Sequence, residues 1–258
     1  MTRGAVLAIL LLIAACGDAP REARVAREAK RPAPREACMP EWRNVADGVR
    51  YRTTPCNSSG GFVLHVVEID PAKWQIDAVA GPRRAMAAAV AESGARFAIN
   101  ANFFDRDDRA LGVVIASGKS LQPAHPVSWQ SIFWLDRKGR PAITARDGWD
   151  RVSQRAFAAV QAGPRLMIDG QRNRVAKGTP SLRSGVCIAS SGALRFFVTP
   201  QTTFVDVLEM VELAASLECR DAMLFDGGPS AQMYLDTPGK KIAMQGDVVP
   251  VYVIARPR

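Results

Sequence analysis

Histidine is almost missing from this chain: His65 and His125 are the only two among 258 residues. No CxxC pair and no close His or Cys spacing accompanies them, which excludes the usual zinc arrangements. A metal-dependent phosphodiesterase would have few ligands to draw on. Ser230 lies in Gly-Pro-Ser-Ala-Gln, lacking the second glycine of a nucleophile elbow, and no histidine follows it, so serine hydrolase chemistry is excluded too. We expect no metal and no cofactor. Long apolar runs are also lacking, since the stretch from Ala5 to Ala15 is too short to span a bilayer. The formal charge of +9 favours anionic partners. Yet no basic run is interleaved with aromatics, which sets nucleic acid aside.

The N-terminus accounts for part of that charge. Residues 1–15 have a basic start at Arg3 and then the apolar run, which fits a secretory signal peptide. The ending Ile13-Ala14-Ala15-Cys16 resembles the lipobox of bacterial lipoproteins, which implies that Cys16 is diacylated and becomes the new N-terminus. Residues 16–37 are rich in Ala, Arg, Glu and Pro with almost no large apolar side chain, as in a solvated, lipid-anchored tether. Without signal and tether, residues 38–258 hold 27 bases against 21 acids. The expected location is the cell envelope, anchored on the periplasmic side of the outer membrane because Gly17 rather than Asp follows the cysteine. In that oxidising setting disulfides are expected. Cys38 and Cys56 bracket a short segment, and their bridge would pin the first strands. Cys187, in an apolar run, and Cys219, at a helix end, either pair or remain buried thiols.

Residues 38–258 read as one domain. FVLHVVEID and WQIDAVA are strands, RRAMAAAVAESGA is an Ala-rich helix stopping near Gly94, and FAINANFFD is a strand running into a loop. QSIFWLDRKGRPAI and RSGVCIASSGALRFFVT are hairpins turning at Arg137-Lys138-Gly139 and at Ser191-Gly192. GPRLMIDGQR is a strand with an Asp169-Gly170 turn, and the two strand-rich blocks suggest a diverged duplication. TTFVDVLEMVELAASLEC is the strongest helix, with Thr203 as its expected N-cap. Many hairpins and two main helices give an α+β fold around a mixed, largely antiparallel sheet.

Two apparent motifs fail on their chemistry. GVVIASGKS has the wrong glycine spacing for a phosphate loop and is made of strand formers, and DRDDRALG lacks the glycine position and terminal Glu of a calcium loop. Three clusters remain. Asp226-Gly227-Gly228-Pro229-Ser230 follows an apolar strand, delivering a carboxylate into a loop whose glycines allow close ligand approach and amides aimed at an anion. Asn100 and Asn102 can hydrogen-bond sugar hydroxyls, with Phe103 and Phe104 as stacking faces. Arg183 offers a guanidinium fork suited to phosphate.

Together FAINANFFD, LGVVI, QAGPRLMIDG, LRSGV, LEMVEL and LFDGGPSA, in that order, resemble the phosphodiester glycosidase family over roughly residues 61 to 255. The family removes a sugar from a sugar-1-phosphodiester. The resemblance implies that Asn100, Arg183, Asp226, Gly227, Gly228 and Ser230 are active-site residues, with Phe103 and Phe104 beside them. Asn102 departs from the pattern by replacing a glycine, and Pro229 replaces the third glycine of Asp-Gly-Gly-Gly-Ser. The implied reaction passes through an oxocarbenium-like state with phosphate leaving. Arg183 and the Gly227-Gly228 amides would hold the phosphate with help from Ser230, Asp226 would stabilise the sugar cation or activate water, and Asn100 and Asn102 would orient hydroxyls. Glu68, Asp105 and Asp169 are candidates for a second carboxylate. An envelope glycan or glycolipid within the tether's reach is the expected substrate. Two other classes stay open: a non-catalytic module binding phosphorylated glycans, and a phosphodiesterase cutting the P–O bond.

Overall fold

A strand that is apolar on both faces needs a cover on each side, and the central strands of this protein are of that kind. The computed structural model describes residues 39–54 and 63–258. The signal, the Cys16 anchor, the tether and the Cys38–Cys56 pair lie outside the described residues. In chain order come β1 (Arg43–Ala46), β2 (Val49–Thr54), β3 (Leu64–Ile69), β4 (Trp74–Arg84), α1 (Met86–Ser93) and β5 (Phe97–Asn100). Next are β6 (Val114–Ala116), β7 (Lys119–Gln122), β8 (Ser131–Asp136), β9 (Pro141–Ala145), β10 (Ala156–Ala162), β11 (Arg165–Ile168) and β12 (Gln171–Arg172). The rest is β13 (Ser184–Ala189), β14 (Leu194–Val198), α2 (Val207–Ser216), β15 (Cys219–Leu224), β16 (Met233–Thr237), β17 (Lys240–Met244) and β18 (Val249–Pro257).

These strands form three sheets where one was expected: β1-β2-β3-β14-β13-β15-β11-β12, β7-β6-β10-β8-β9 and β17-β16-β5-β18-β4. Side-chain alternation explains how they assemble. Phe196 and Val198 of β14, Phe97 and Ile99 of β5, and Phe133 and Leu135 of β8 turn into one shared core. Phe197, on the other face of β14, packs with Met210, Val211 and Ala214 of α2. Ala98, on the other face of β5, packs with Met86 and Ala89 of α1, and Ile132 and Trp134 of β8 pack with Trp149. Each sheet thus lends one face to the common core and covers the other separately. The suspected duplication does not correspond to equivalent units, because β3, β5 and β8 of the first block fall in three different sheets.

Both helices follow from local signals. α1 ends at Gly94, whose φ of 64° is the left-handed conformation that glycine adopts without strain. α2 begins later than Thr203. Asp206 is the N-cap, accepting from the Glu209 amide while Glu209 accepts from the Asp206 amide, a full capping box. The segment before it is held extended, with Val205 bridged to Ser181.

Cys187 and Cys219 form a disulfide joining β13 to β15. Both cysteines are buried, and they close a loop with a sequence separation of 32. Replacing both by alanine is expected to lower unfolding free energy by about 3–4 kcal/mol, read by urea denaturation; an unchanged midpoint would contradict this.

Candidate active site

The three clusters converge where two sheets meet. β5 ends in Asn100, β15 runs out through Phe225 into Asp226, β13 starts at Ser184, and β16 starts just after Gln232. Strand ends leave backbone groups without ladder partners, and in a buried seam each must find one. The fully buried Asn100 amide serves two of them and the Ser184 hydroxyl. Its Nδ2 donates to the Asp226 carbonyl at 2.7 Å, and its Oδ1 accepts from the Ser184 hydroxyl at 2.8 Å and the Gln232 amide at 3.1 Å. The Asp226 amide donates to the Ala101 carbonyl at 2.9 Å. Asp226 is therefore fixed through its backbone on both sides.

Its carboxyl is free to act. Burial pushes the Asp226 pKa up to about 6, while hydrogen bonds from the Ser230 hydroxyl and the Gly227 amide pull the other way. At neutral pH the group is mostly ionised, and near pH 6 it exchanges a proton readily, as a general base or acid requires. Ser230 is 6% exposed. Its place in the Asp-Gly-Gly-Pro-Ser turn serves the carboxylate directly.

Arg183 lies beside the next residue. Its Nε donates to the Val205 carbonyl at 3.0 Å and its Nη2 to the Thr179 carbonyl at 2.8 Å, so the guanidinium plane is locked. Burial lowers its pKa and nearby Asp206 raises it, with burial the stronger, though an arginine stays charged. The remaining nitrogen, Nη1, lies 3.5 Å from where a Cβ of residue 227 would stand, and the Leu182 carbonyl lies 2.8 Å from the same point. Gly227 is thus required for space: any side chain would strike backbone and cover the open edge of Arg183.

Other expected roles change in the structure. The Gly228 amide donates to the Leu182 carbonyl at 2.9 Å, and the Gly227 amide serves Asp226. Both amides that were to hold an anion are engaged with protein acceptors. Asn102 is 2% exposed, and its Nδ2 donates to the Val113 carbonyl at 3.1 Å. Asn100 and Asn102 thus frame the site from beneath instead of lining its surface. Phe103 is half-buried, edge-on to Trp129 with ring centroids 5.7 Å apart. Phe104 packs with the α1 cluster, under Arg83. The second-carboxylate candidates lie elsewhere: Glu68 pairs with Arg50 and Arg195, Asp105 accepts the Asp107 and Arg109 amides of its own turn, and Asp169 occupies the β11–β12 turn.

Three residues at the seam gave little sign of themselves in sequence. Buried Gln232 ties the Ser230 and Asp247 carbonyls together at 3.2 and 2.7 Å. Buried Gln161 accepts from the Val113 and His125 amides and donates to the His125 carbonyl and Gln130, holding the loop that carries Trp129. Trp129 itself is 54% exposed. A glutamine inside an apolar strand such as Ala158-Ala159-Val160-Gln161-Ala162 is the available signal, since a buried amide needs partners. A groove of about 890 Å³ lies apart, between hairpin ends carrying Asp47, Asp70 and Ser191.

Asn100→Ala would strand the Gln232 amide in a dry seam and leave the Asp226 carbonyl only the longer bond from the Ser184 hydroxyl at 3.2 Å. The expected loss is about 3 kcal/mol of stability, measured by chemical denaturation; a loss below about 1 kcal/mol would show that the seam tolerates the gap.

The fold is shared with solved structures. No curated protein sequence matches the chain. A hypothetical protein from Synechocystis superposes with a TM-score of 0.67 at 13% identity, covering 86% of this chain and 64% of that one, under two thirds of its length. The catalytic domain of zebrafish N-acetylglucosamine-1-phosphodiester alpha-N-acetylglucosaminidase, auto-inhibited by its pro-peptide, superposes with a TM-score of 0.66 at 14% identity, covering 86% and 87% of the two chains. At these identities the likeness is one of fold. The sequence profile of the phosphodiester glycosidases matches residues 93–254, a span that carries Asn100, Arg183 and Asp226, and the chain belongs to the phosphodiester glycosidase family.

Proposed function

We propose that the protein is a hydrolase that cleaves the sugar C–O bond of a sugar-1-phosphodiester in a cell-envelope glycan or glycolipid, working from a lipid anchor at Cys16. The observation that carries this reading is a carboxyl with a pKa of about 6, held one residue from a locked guanidinium with a free edge. Family membership supports the reaction class. The Ala15-Cys16 junction and the polar tether support the anchored location.

The chemistry follows from the groups present. Phosphate leaves well without strong protonation, so a single titrating carboxylate suffices where an ordinary glycosidase uses two. Arg183 Nη1 meets the phosphate oxygens and stabilises the charge that accumulates as the C–O bond lengthens. Ionised Asp226 faces the growing positive charge on the sugar or takes a proton from the attacking water. Water oxygen bonds to the anomeric carbon, the bonding pair of the broken C–O bond stays with phosphate, and the water proton passes through Asp226 to solvent. The products are a free sugar and a phosphate monoester. Asn100 acts as a positioning residue, through the backbone of Asp226.

Asp226 must be ionised for either role, so kcat/KM is expected to rise with pH to a plateau above about 6 and to fall tenfold per unit below it. The same shift costs stability. The folded pKa lies above the ordinary 3.8, so the penalty is absent at low pH, grows as pH rises from 3.8 to about 6, and is complete above that. Asp226→Asn should be inactive yet about 2–3 kcal/mol more stable than wild type at pH 7, with the difference vanishing near pH 4; equal stability at both pH values would count against a buried, destabilised carboxylate.

Oxygen-18 water tests the bond cleaved. Label in the released sugar with an unlabelled phosphate monoester is the expected outcome. Label in phosphate would mean P–O cleavage, and binding without turnover would mean a glycan-binding module.

A further inference from the structure

We propose that the second ester of the substrate's phosphate is to a long-chain apolar alcohol, held on Phe204 and Leu208 beside Arg183, so that the substrate is a glycosyl-1-phosphoryl lipid. This rests on the reading of Asp226 and Arg183 given above and specifies its acceptor. Among the described residues the exposed large apolar side chains are Leu121, Trp129, Phe204, Leu208 and Val248, and Phe204 is the most exposed at 63%. Their distribution is uneven. Phe204 and Leu208 stand on either side of the cap residue Asp206, in the segment that orients the phosphate-binding guanidinium: the Val205 carbonyl accepts from Arg183 Nε, and the Asp206 carboxylate is the charge acting on Arg183. Val248 follows Asp247, whose amide donates to the carbonyl of exposed Pro229 at 2.7 Å. Trp129 packs against Phe103.

An exposed phenylalanine joined to a functional cation matches the junction between a charged head and an apolar tail. The polar groups that hold Arg183, the Val205 and Thr179 carbonyls, are already engaged. The phosphodiester then lies at Asp226 and Arg183, with the apolar acceptor face at Phe204 and Leu208 next to the Val205 carbonyl that holds the guanidinium. The reaction leaves the phosphate monoester on the lipid and releases the sugar.

The test uses the full chain with methyl and octyl diesters of the same sugar, N-acetylglucosamine 1-phosphate, at concentrations where the octyl ester is monomeric. The octyl diester is expected to have a kcat/KM at least about tenfold higher, since covering even two methylenes reaches that factor. Phe204→Ser with Leu208→Ser should bring the octyl-to-methyl ratio to near one, while Leu121→Ser, on β7, preserves it. Equal wild-type values, or a preference that survives the double substitution, would overturn the proposal. The non-hydrolysable phosphonate pair gives the same ratio by titration calorimetry. Absence of turnover would therefore sink the hydrolase reading separately, with the acceptor face still decided by binding.

Discussion

One buried amide governs this site. Where β5, β13, β15 and β16 run out against one another, their last backbone groups lose ladder partners, and the Asn100 side chain satisfies three groups from three different segments. An amide is suited to this because it donates and accepts from one rigid plane. A carboxylate could not donate to the Asp226 carbonyl, and an apolar residue would leave the Gln232 amide dry and unpaired and the Asp226 carbonyl with the Ser184 hydroxyl alone. The position of the reactive carboxyl is thus set from its backbone, with the side chain left to titrate.

The two charged groups are shifted by the same cause in opposite directions. Burial raises Asp226 and lowers Arg183, each being pushed toward its neutral form. For Asp226 the effect brings proton exchange near neutrality. For Arg183, which remains charged, it means a cation poorly compensated by solvent and held with one edge open. A bound phosphate diester would relieve both, bringing negative charge to the arginine and, as the bond breaks, positive charge toward the carboxylate. The glycine loop contributes space more than donors, since the Gly227 and Gly228 amides face protein acceptors. Arg183, by contrast, is tied to the Val205 carbonyl, next in the chain to exposed Phe204.

Three sheets around a common core also explain how so many apolar strands remain covered. Each sheet has a private outer layer, from α1, α2 or the turn carrying Trp149. Large apolar side chains left in solvent are therefore few among the described residues. Of the five, Phe204 directly precedes the Val205 carbonyl that holds Arg183.

Much of this was legible in the sequence because it depends on near neighbours. Strand alternation, the glycine stop of α1 at Gly94, the hairpin turns at Gly139 and Gly192 and the strand that delivers Asp226 are each written within a few residues. The start of α2 was misplaced because Thr203 and Asp206 are both competent caps, and only the extended pairing of Val205 with Ser181 selects the second. What the local pattern could not contain is partnership at a distance. Asn100 meets a carbonyl 126 residues away, and Cys187 meets a cysteine at a separation of 32. The sequence by itself determined which side chains with the right chemistry stand at strand ends. Only the tertiary structure decided which of them reach a ligand and which are consumed in the seam, because a buried polar group must bond to whatever the fold brings beside it.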